Sequence, residues 1–258
     1  MAKLAVPKAR DVALVAVFAA LYVALSLLPG LPTPGDPTGQ IKIEIEASIA
    51  PLYGIILGPY MGFLAALIGT IIAWLLPPGS GNIFGVPALF CPAVDALAVG
   101  LMLRGRWGVA MALLAVFIGL YWVSPICLPI GTYWYVGLAG SFDKIIALLL
   151  IPPSALALRG LGEASSNPDS APDLVARTGL LYALSFIGNE VDSALGCMAY
   201  AFFLVGMGTP VDAVRVYYVA APLVYFLVRV IQALIATAVG VPVLRALKRR
   251  GMSIPLAV

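Results

Sequence analysis

The chain has 258 residues, 62% of them hydrophobic and only 10% charged, against about 25% charged in ordinary soluble domains. A soluble globule of this size cannot hide so much apolar surface, so lipid must cover the surplus. The net charge of +3 needs no nucleic-acid partner, because membrane topology accounts for where the basic residues lie. Transmembrane strands would alternate polar and apolar residues, whereas this chain runs apolar for 16–30 residues at a stretch, as only helices do. The expected fold is therefore an all-α integral membrane protein, a polytopic helical bundle of about eight membrane segments, sited in the plasma membrane among its lipids. There is no histidine, which removes imidazole-ligated zinc, haem and di-metal chemistry. Cys91, Cys127 and Cys197 are widely spaced and form no C-x-x-C pattern, so buried thiols are expected and neither a metal nor a cofactor. No Walker loop, nucleophile with its base or metal-ligand helix is visible, so the chain reads as no enzyme and cannot drive transport by hydrolysing ATP itself.

The eight apolar segments run roughly over 12–28, 47–58, 60–76, 88–103, 107–124, 141–158, 178–206 and 216–244. Lys3, Lys8 and Arg10 precede the first, but Leu27-Leu28-Pro29-Gly30 offers no small-x-small cleavage site, so this segment is expected to be retained as a span. It carries Ala16, Ala20 and Ala24 at a four-residue spacing, a face on which another helix backbone can approach closely. Residues 29–40 read as a Pro/Gly-rich outer loop. Residues 41–46, Ile-Lys-Ile-Glu-Ile-Glu, alternate with period two and predict an extended, strand-like stretch. The second segment is too short to cross a 30 Å hydrocarbon core comfortably, and Gly58-Pro59 follows it at once. Segments two and three are thus expected to form a tight helical hairpin or a broken helix, with Gly58, Gly62, Ala66 and Gly69 along one stripe. Either small-residue stripe can serve packing within the chain or contact with another membrane subunit.

Further along, Tyr121, Trp122, Tyr133, Trp134 and Tyr135 flank the fifth helix and the loop after it. They read as an interfacial aromatic belt or as a stacking surface for a flat ring. Residues 160–177 form a polar, Ser/Pro/Asp-rich linker expected on the cytoplasmic side. The single membrane domain, 1–258, is thereby divided into a front part, 1–159, and a two-helix C-terminal part, 178–250. No internal repeat supports inverted symmetry. With both termini inside, 11 of the 15 basic residues fall on the cytoplasmic side, and the loops near 77–87 and 125–140 contain none. Eight crossings satisfy the positive-inside rule; an odd count would put Arg104 and Arg106 outside.

Ionisable residues inside spans are costly unless paired or wetted, which makes Asp95, Asp143, Lys144, Glu190, Asp192 and Arg229 informative. Counting 1.5 Å per residue puts Glu190, Asp192 and Arg229 at about 18–22 Å depth on adjacent long helices. Ser185, Asn189, Asp192 and Gly196 share one helix face, and Glu190 is turned about 100° from Asn189. Tyr225, Arg229, Gln232 and Ala236 form a matching stripe. Two readings stay open: an Arg229–Asp192 pair that locks two helices, or a polar pocket. The pocket candidates are Asn189, Glu190, Asp192, Arg229, Gln232, Asp95, Trp122 and Trp134.

The alanine-rich first helix VALVAVFAALYVAL (12–25) and the stretch IAPLYGIILGPYMGFLAALIGTIIAWL (49–75) resemble the substrate-binding S components of energy-coupling factor vitamin transporters. The final helix, with Arg229-Val-Ile-Gln232-Ala-Leu-Ile-Ala236 and a basic tail, is similar as well. The resemblance implies a subunit that binds a vitamin or other micronutrient near the outer face with high affinity. It implies docking through Ala16, Ala20 and Ala24 onto a transmembrane coupling subunit driven by two cytoplasmic ATPase subunits. One departure stands out, since the family usually has six spans and eight are counted here, with the surplus around 107–158. A self-sufficient secondary carrier, with Asp192 or Glu190 binding a coupling proton, and a membrane enzyme acting on lipid are the other classes the residues leave open.

Overall fold

In the computed structural model the described residues are 9–32, 42–76, 86–164, 174–220 and 222–250. They build ten α-helices and one two-residue ladder. α1 (Ala9–Ser26) leads to β1 (Leu31–Pro32), which pairs antiparallel with β2 (Lys42–Ile43). α2 (Ile45–Ser48), α3 (Ala50–Leu57) and α4 (Pro59–Leu75) follow. A 3-10 turn, Val86–Phe90, opens α5 (Cys91–Leu103), and α6 (Trp107–Trp122) precedes α7 (Ile130–Ala164). α8 (Leu174–Gly206), α9 (Val211–Ala220) and α10 (Pro222–Arg249) complete the bundle.

The hairpin expected at Gly58-Pro59 forms. Gly58 takes φ +79°, a left-handed turn that a side chain would strain, and Pro59 supplies the preset φ of a first helical residue. Three helices then meet backbone to backbone. A Cβ on Gly62 would lie 2.7 Å from the Tyr53 carbonyl oxygen of α3, and one on Gly100 of α5 would lie 2.5 Å from the Pro59 nitrogen. One on Gly54 would collide with the Ala96 carbonyl of α5. Small residues are what let these helices close up, the device that replaces the hydrophobic driving force in lipid. The stripe predicted on the third segment therefore packs inward: Ala66 is buried, and Gly69 abuts Tyr22 of α1. Tyr53 fixes α3 against α1, donating its hydroxyl to the Phe18 carbonyl at 2.9 Å and meeting the Phe18 ring edge-on.

α8 is the central post, packed by α3, α5, α6, α7 and α10. Its buried apolar residues, among them Leu181, Leu184, Ile187 and Val191, anchor the larger core. A second core gathers Tyr121, Ile126, Cys127, Val136, Tyr200 and Tyr218 where α6, α7, α8 and α9 meet. By contrast Val17, Leu149, Leu156, Leu223 and Leu234 lie exposed, apolar surface suited to lipid or to another membrane subunit.

Among the described residues four helical stretches, Ala9–Ser26, Val86–Leu103, Ile130–Leu161 and Pro222–Arg249, are long and apolar enough to cross a membrane on their own. Ile45–Leu57, Pro59–Leu75 and Trp107–Trp122 are apolar but shorter. Two local expectations change. The strand foreseen over 41–46 is confined, among the described residues, to Lys42–Ile43, because α2 starts at Ile45. The linker foreseen over 160–177 is helical at both ends, where α7 runs to Ala164 and α8 begins at Leu174. Residues 165–173, like most of the 29–40 loop and the Lys3 and Lys8 positions, lie outside the described residues.

Candidate functional site

Polar side chains gather in one layer of the bundle, and α8 is its axis. Ser185, Asn189, Glu190, Asp192 and Ser193 are all buried on this helix. A run of four residues, 189–192, sweeps most of one turn, so its two acids leave the helix in different directions. Glu190 turns toward α7, where Lys144 lies 2.9 Å from both oxygens of Asp143 and 3.8 Å from Glu190 Oε2. All three groups are at most 3% accessible, so this is a closed triad of two carboxylates and one ammonium. Lys144 is the partner that the sequence reading had not assigned to Glu190.

Asp192 turns the other way, toward α5 and α10. It forms no ion pair with Arg229 within 4.0 Å, so the helix clamp considered from the sequence is not made. The reason is local: Gln232 sits one turn along the same helix and accepts from Arg229 Nη1 at 2.7 Å, while Arg229 Nε is buried without a hydrogen-bond partner. Arg229 and Asp192 remain within electrostatic range of each other. Asp95 reaches this group from α5. Its carboxylate packs against Gly188, one turn below Asp192, where a Cβ would collide with Oδ1, and neither oxygen has a hydrogen-bond partner. Asn189 donates to the Ser185 carbonyl at 2.8 Å and leaves Oδ1 unpartnered.

A further acid joins from outside the long helices. Glu44, between β2 and α2, is an exposed residue whose carboxyl lies within electrostatic range of Asp192 and Arg229. Protein crowds it on most sides, and this desolvation first, then repulsion from Asp192, raises its pKa above the ordinary 4.5; Arg229 opposes the rise. The sequence reading missed Glu44 as a site residue. The available signal was the period-two alternation of Lys42-Ile-Glu44-Ile-Glu46, which puts acids on one side of an extended chain.

The two tryptophan candidates are not brought to this layer's acids. Trp122 packs over Gly137 and donates Nε1 to Ser141 Oγ at 3.0 Å, which ties α6 to α7. Trp134 is 56% exposed and meets Tyr135 edge-on, as an interfacial aromatic would. Ala16, Ala20 and Ala24 are all exposed, and with Ile68 and Ile72 of α4 they line a shallow apolar groove on the outside of the bundle. Among the described residues no three His, Cys, Asp or Glu side chains stand close enough to hold a metal ion.

Residues 7–109 match the family of the ECF-type riboflavin transporter S component, and the resemblance read in α1 and in the α3–α4 hairpin stands on that match. The family is one of transporter subunits, not of enzymes, and with the exposed apolar helices it marks the chain as a membrane protein. The chain is also 28% identical, over 85 residues, to an uncharacterized protein of Methanocaldococcus jannaschii, a stretch that makes up 33% of this chain and 28% of that protein. No solved structure matches. Of the polar layer, Glu44 and Asp95 lie inside the family match, whereas Lys144, Glu190, Asp192 and Arg229 lie beyond it.

Proposed function

We propose, from the S-component match over residues 7–109, that this protein is the membrane-embedded substrate-binding subunit of an uptake system for a vitamin or similar micronutrient. The match carries the reading. It covers α1 and so the exposed alanine face, and a groove of that kind fits a transmembrane coupling subunit, itself driven by two cytoplasmic ATPase subunits. In this reading Asp192, Asp95, Asn189, Arg229 and Gln232 line or support the substrate site, Glu44 closes it from the outer side, and the Asp143–Lys144–Glu190 triad braces it. Eight helical passages with both termini cytoplasmic give the topology, α3, α4, α6 and α8 adding to the four helices long and apolar enough on their own.

The deciding experiment is mass spectrometry of small molecules released from the detergent-purified protein, paired with uptake into liposomes. A stoichiometric nutrient in the released fraction, with uptake only when coupling and ATPase subunits and ATP are present, is the expected result. Proton-driven uptake by the chain alone would overturn it in favour of a secondary carrier.

A further inference from the structure

The acids around Asp192 outnumber the bases. Asp95 of α5 and Glu44 of the β2–α2 corner both lie within electrostatic range of Asp192, and among the described side chains the one cation in range of all three is Arg229. Part of that guanidinium is already engaged by Gln232. Lys144, in ion-pair contact with Asp143 and Glu190, reaches Asp192 only at longer range. Asp95 supplies the observation that an acidic cluster alone would not. It is fully buried, both its oxygens lack any hydrogen-bond partner, and it is directed at the α8 backbone just beneath Asp192. Asn189 Oδ1, on the same helix, is a second buried acceptor without a donor. Buried acceptors without donors are unfavourable unless something supplies protons or positive charge to them. A metal ion would need a tighter ligand set than the described residues offer.

We propose that Asp192, Asp95 and Glu44 form the charge-recognition end of the substrate site, and that the substrate presents a positive charge there: an ammonium, an amidinium or a quaternised ring nitrogen. The inference rests on the binding-subunit reading and deepens it. A neutral ligand could satisfy the acceptors only by donating hydrogen bonds and would leave the charge surplus uncompensated. An anionic ligand would add to that surplus, with one partly engaged arginine to oppose it. Glu44, accessible at the corner of the ladder, meets the cation first, and Asp192 with Asp95 receives it inside.

The test uses three probes that share one ring and differ in charge: 1-methylnicotinamide, a cation; nicotinamide, neutral; and nicotinate, an anion. Thermal unfolding of the full-length protein in detergent is followed as each is titrated to about 10 mM, enough to fill roughly nine-tenths of a site with a millimolar Kd. Expected is half-maximal stabilisation by the cation at a concentration at least about tenfold below that for nicotinamide, with nicotinate weakest. Asp192→Asn should abolish the discrimination, and Glu44→Gln, at an accessible position that burdens folding little, should reduce it. Equal or better stabilisation by nicotinamide or nicotinate overturns the inference, as does no stabilisation by the cation. The ligand released from the purified protein separates this from the parent reading. A neutral or anionic nutrient there sinks the cation inference alone, whereas no bound nutrient of any charge sinks the binding-subunit reading.

Discussion

Removing the ammonium from the Asp143–Lys144–Glu190 triad, by Lys144→Met, is the most direct perturbation of the polar layer. Lys144 Nζ lies 2.9 Å from the Asp143 oxygens and 3.8 Å from Glu190 Oε2, with no group more than 3% accessible. At an effective dielectric of about 20, charges 4 Å apart attract by about 4 kcal/mol, and desolvation cancels much of that gain. The variant strands two buried carboxylates. Protonating a carboxyl with an ordinary value near 4.3 at pH 7 costs about 3.7 kcal/mol, which limits what each stranded acid can forfeit. Lys144→Met should therefore lose roughly 3–5 kcal/mol of stability. Glu190→Gln should cost about 1 kcal/mol or less, because its contact is longer and carries no hydrogen bond, and because it relieves the acid surplus. Lys144→Met combined with Asp143→Asn and Glu190→Gln should recover most of the loss. The readout is equilibrium unfolding in mixed micelles. A Lys144→Met loss below about 1 kcal/mol, or a Glu190→Gln loss equal to it, would show that the triad is wetted or differently paired and that the reasoning fails.

Three further outcomes are expected. Gly69→Val should cost about 1–3 kcal/mol, since its Cβ would lie 2.6 Å from Tyr22 Cβ and 3.1 Å from the Ala19 carbonyl oxygen, whereas Gly119→Ala, with nothing within 4 Å, should unfold no earlier than the parent; equal effects would break the α1–α4 packing account. Ala20→Leu, on the exposed side of α1, should change stability by less than about 0.5 kcal/mol and leave ligand binding intact while abolishing ATP-driven uptake, and loss of folding would place that face inside the bundle. Glu44 holds a raised pKa among Asp192, Arg229, Glu46 and Tyr22, so between its ordinary 4.5 and the raised value the folded state binds the more protons; stability should fall as pH rises through that window and level off above it, and Glu44→Gln should flatten the slope.

What could be read in advance was whatever a short stretch of chain decides alone. The α3–α4 hairpin is a local matter of a left-handed glycine followed by a proline, and Gly58-Pro59 announces it. The alanine stripe is likewise fixed by helical period, and Ala16, Ala20 and Ala24 do share an exposed face. Depth could also be counted, because rise per residue is constant, and the two groups it put at one height, Asp192 and Arg229, lie within electrostatic range of each other. Height is half of a contact. Whether two groups meet depends on azimuth and on nearer competitors, and Gln232, three residues from Arg229, engages the guanidinium that depth alone offered to Asp192.

Glu190 and Glu44 show the two ways in which long-range geometry escapes a linear reading. Glu190 needed a partner on a helix whose packing against α8 no local pattern specifies, and Lys144 becomes that partner only once α7 is laid beside α8. Glu44 needed the opposite correction. Its stretch was legible as extended, but an extended chain before a helix says nothing about which helix it will cover. Contact of β2 and α2 with α10 is what carries Glu44 over Arg229 and Asp192. The small-residue contacts of α1, α3, α4 and α5 are constrained by fixed spacings, whereas a charge can reach a shared layer from any helix that borders it. That asymmetry explains why the front of the chain shows the family resemblance while the acids on α8 must be located in three dimensions.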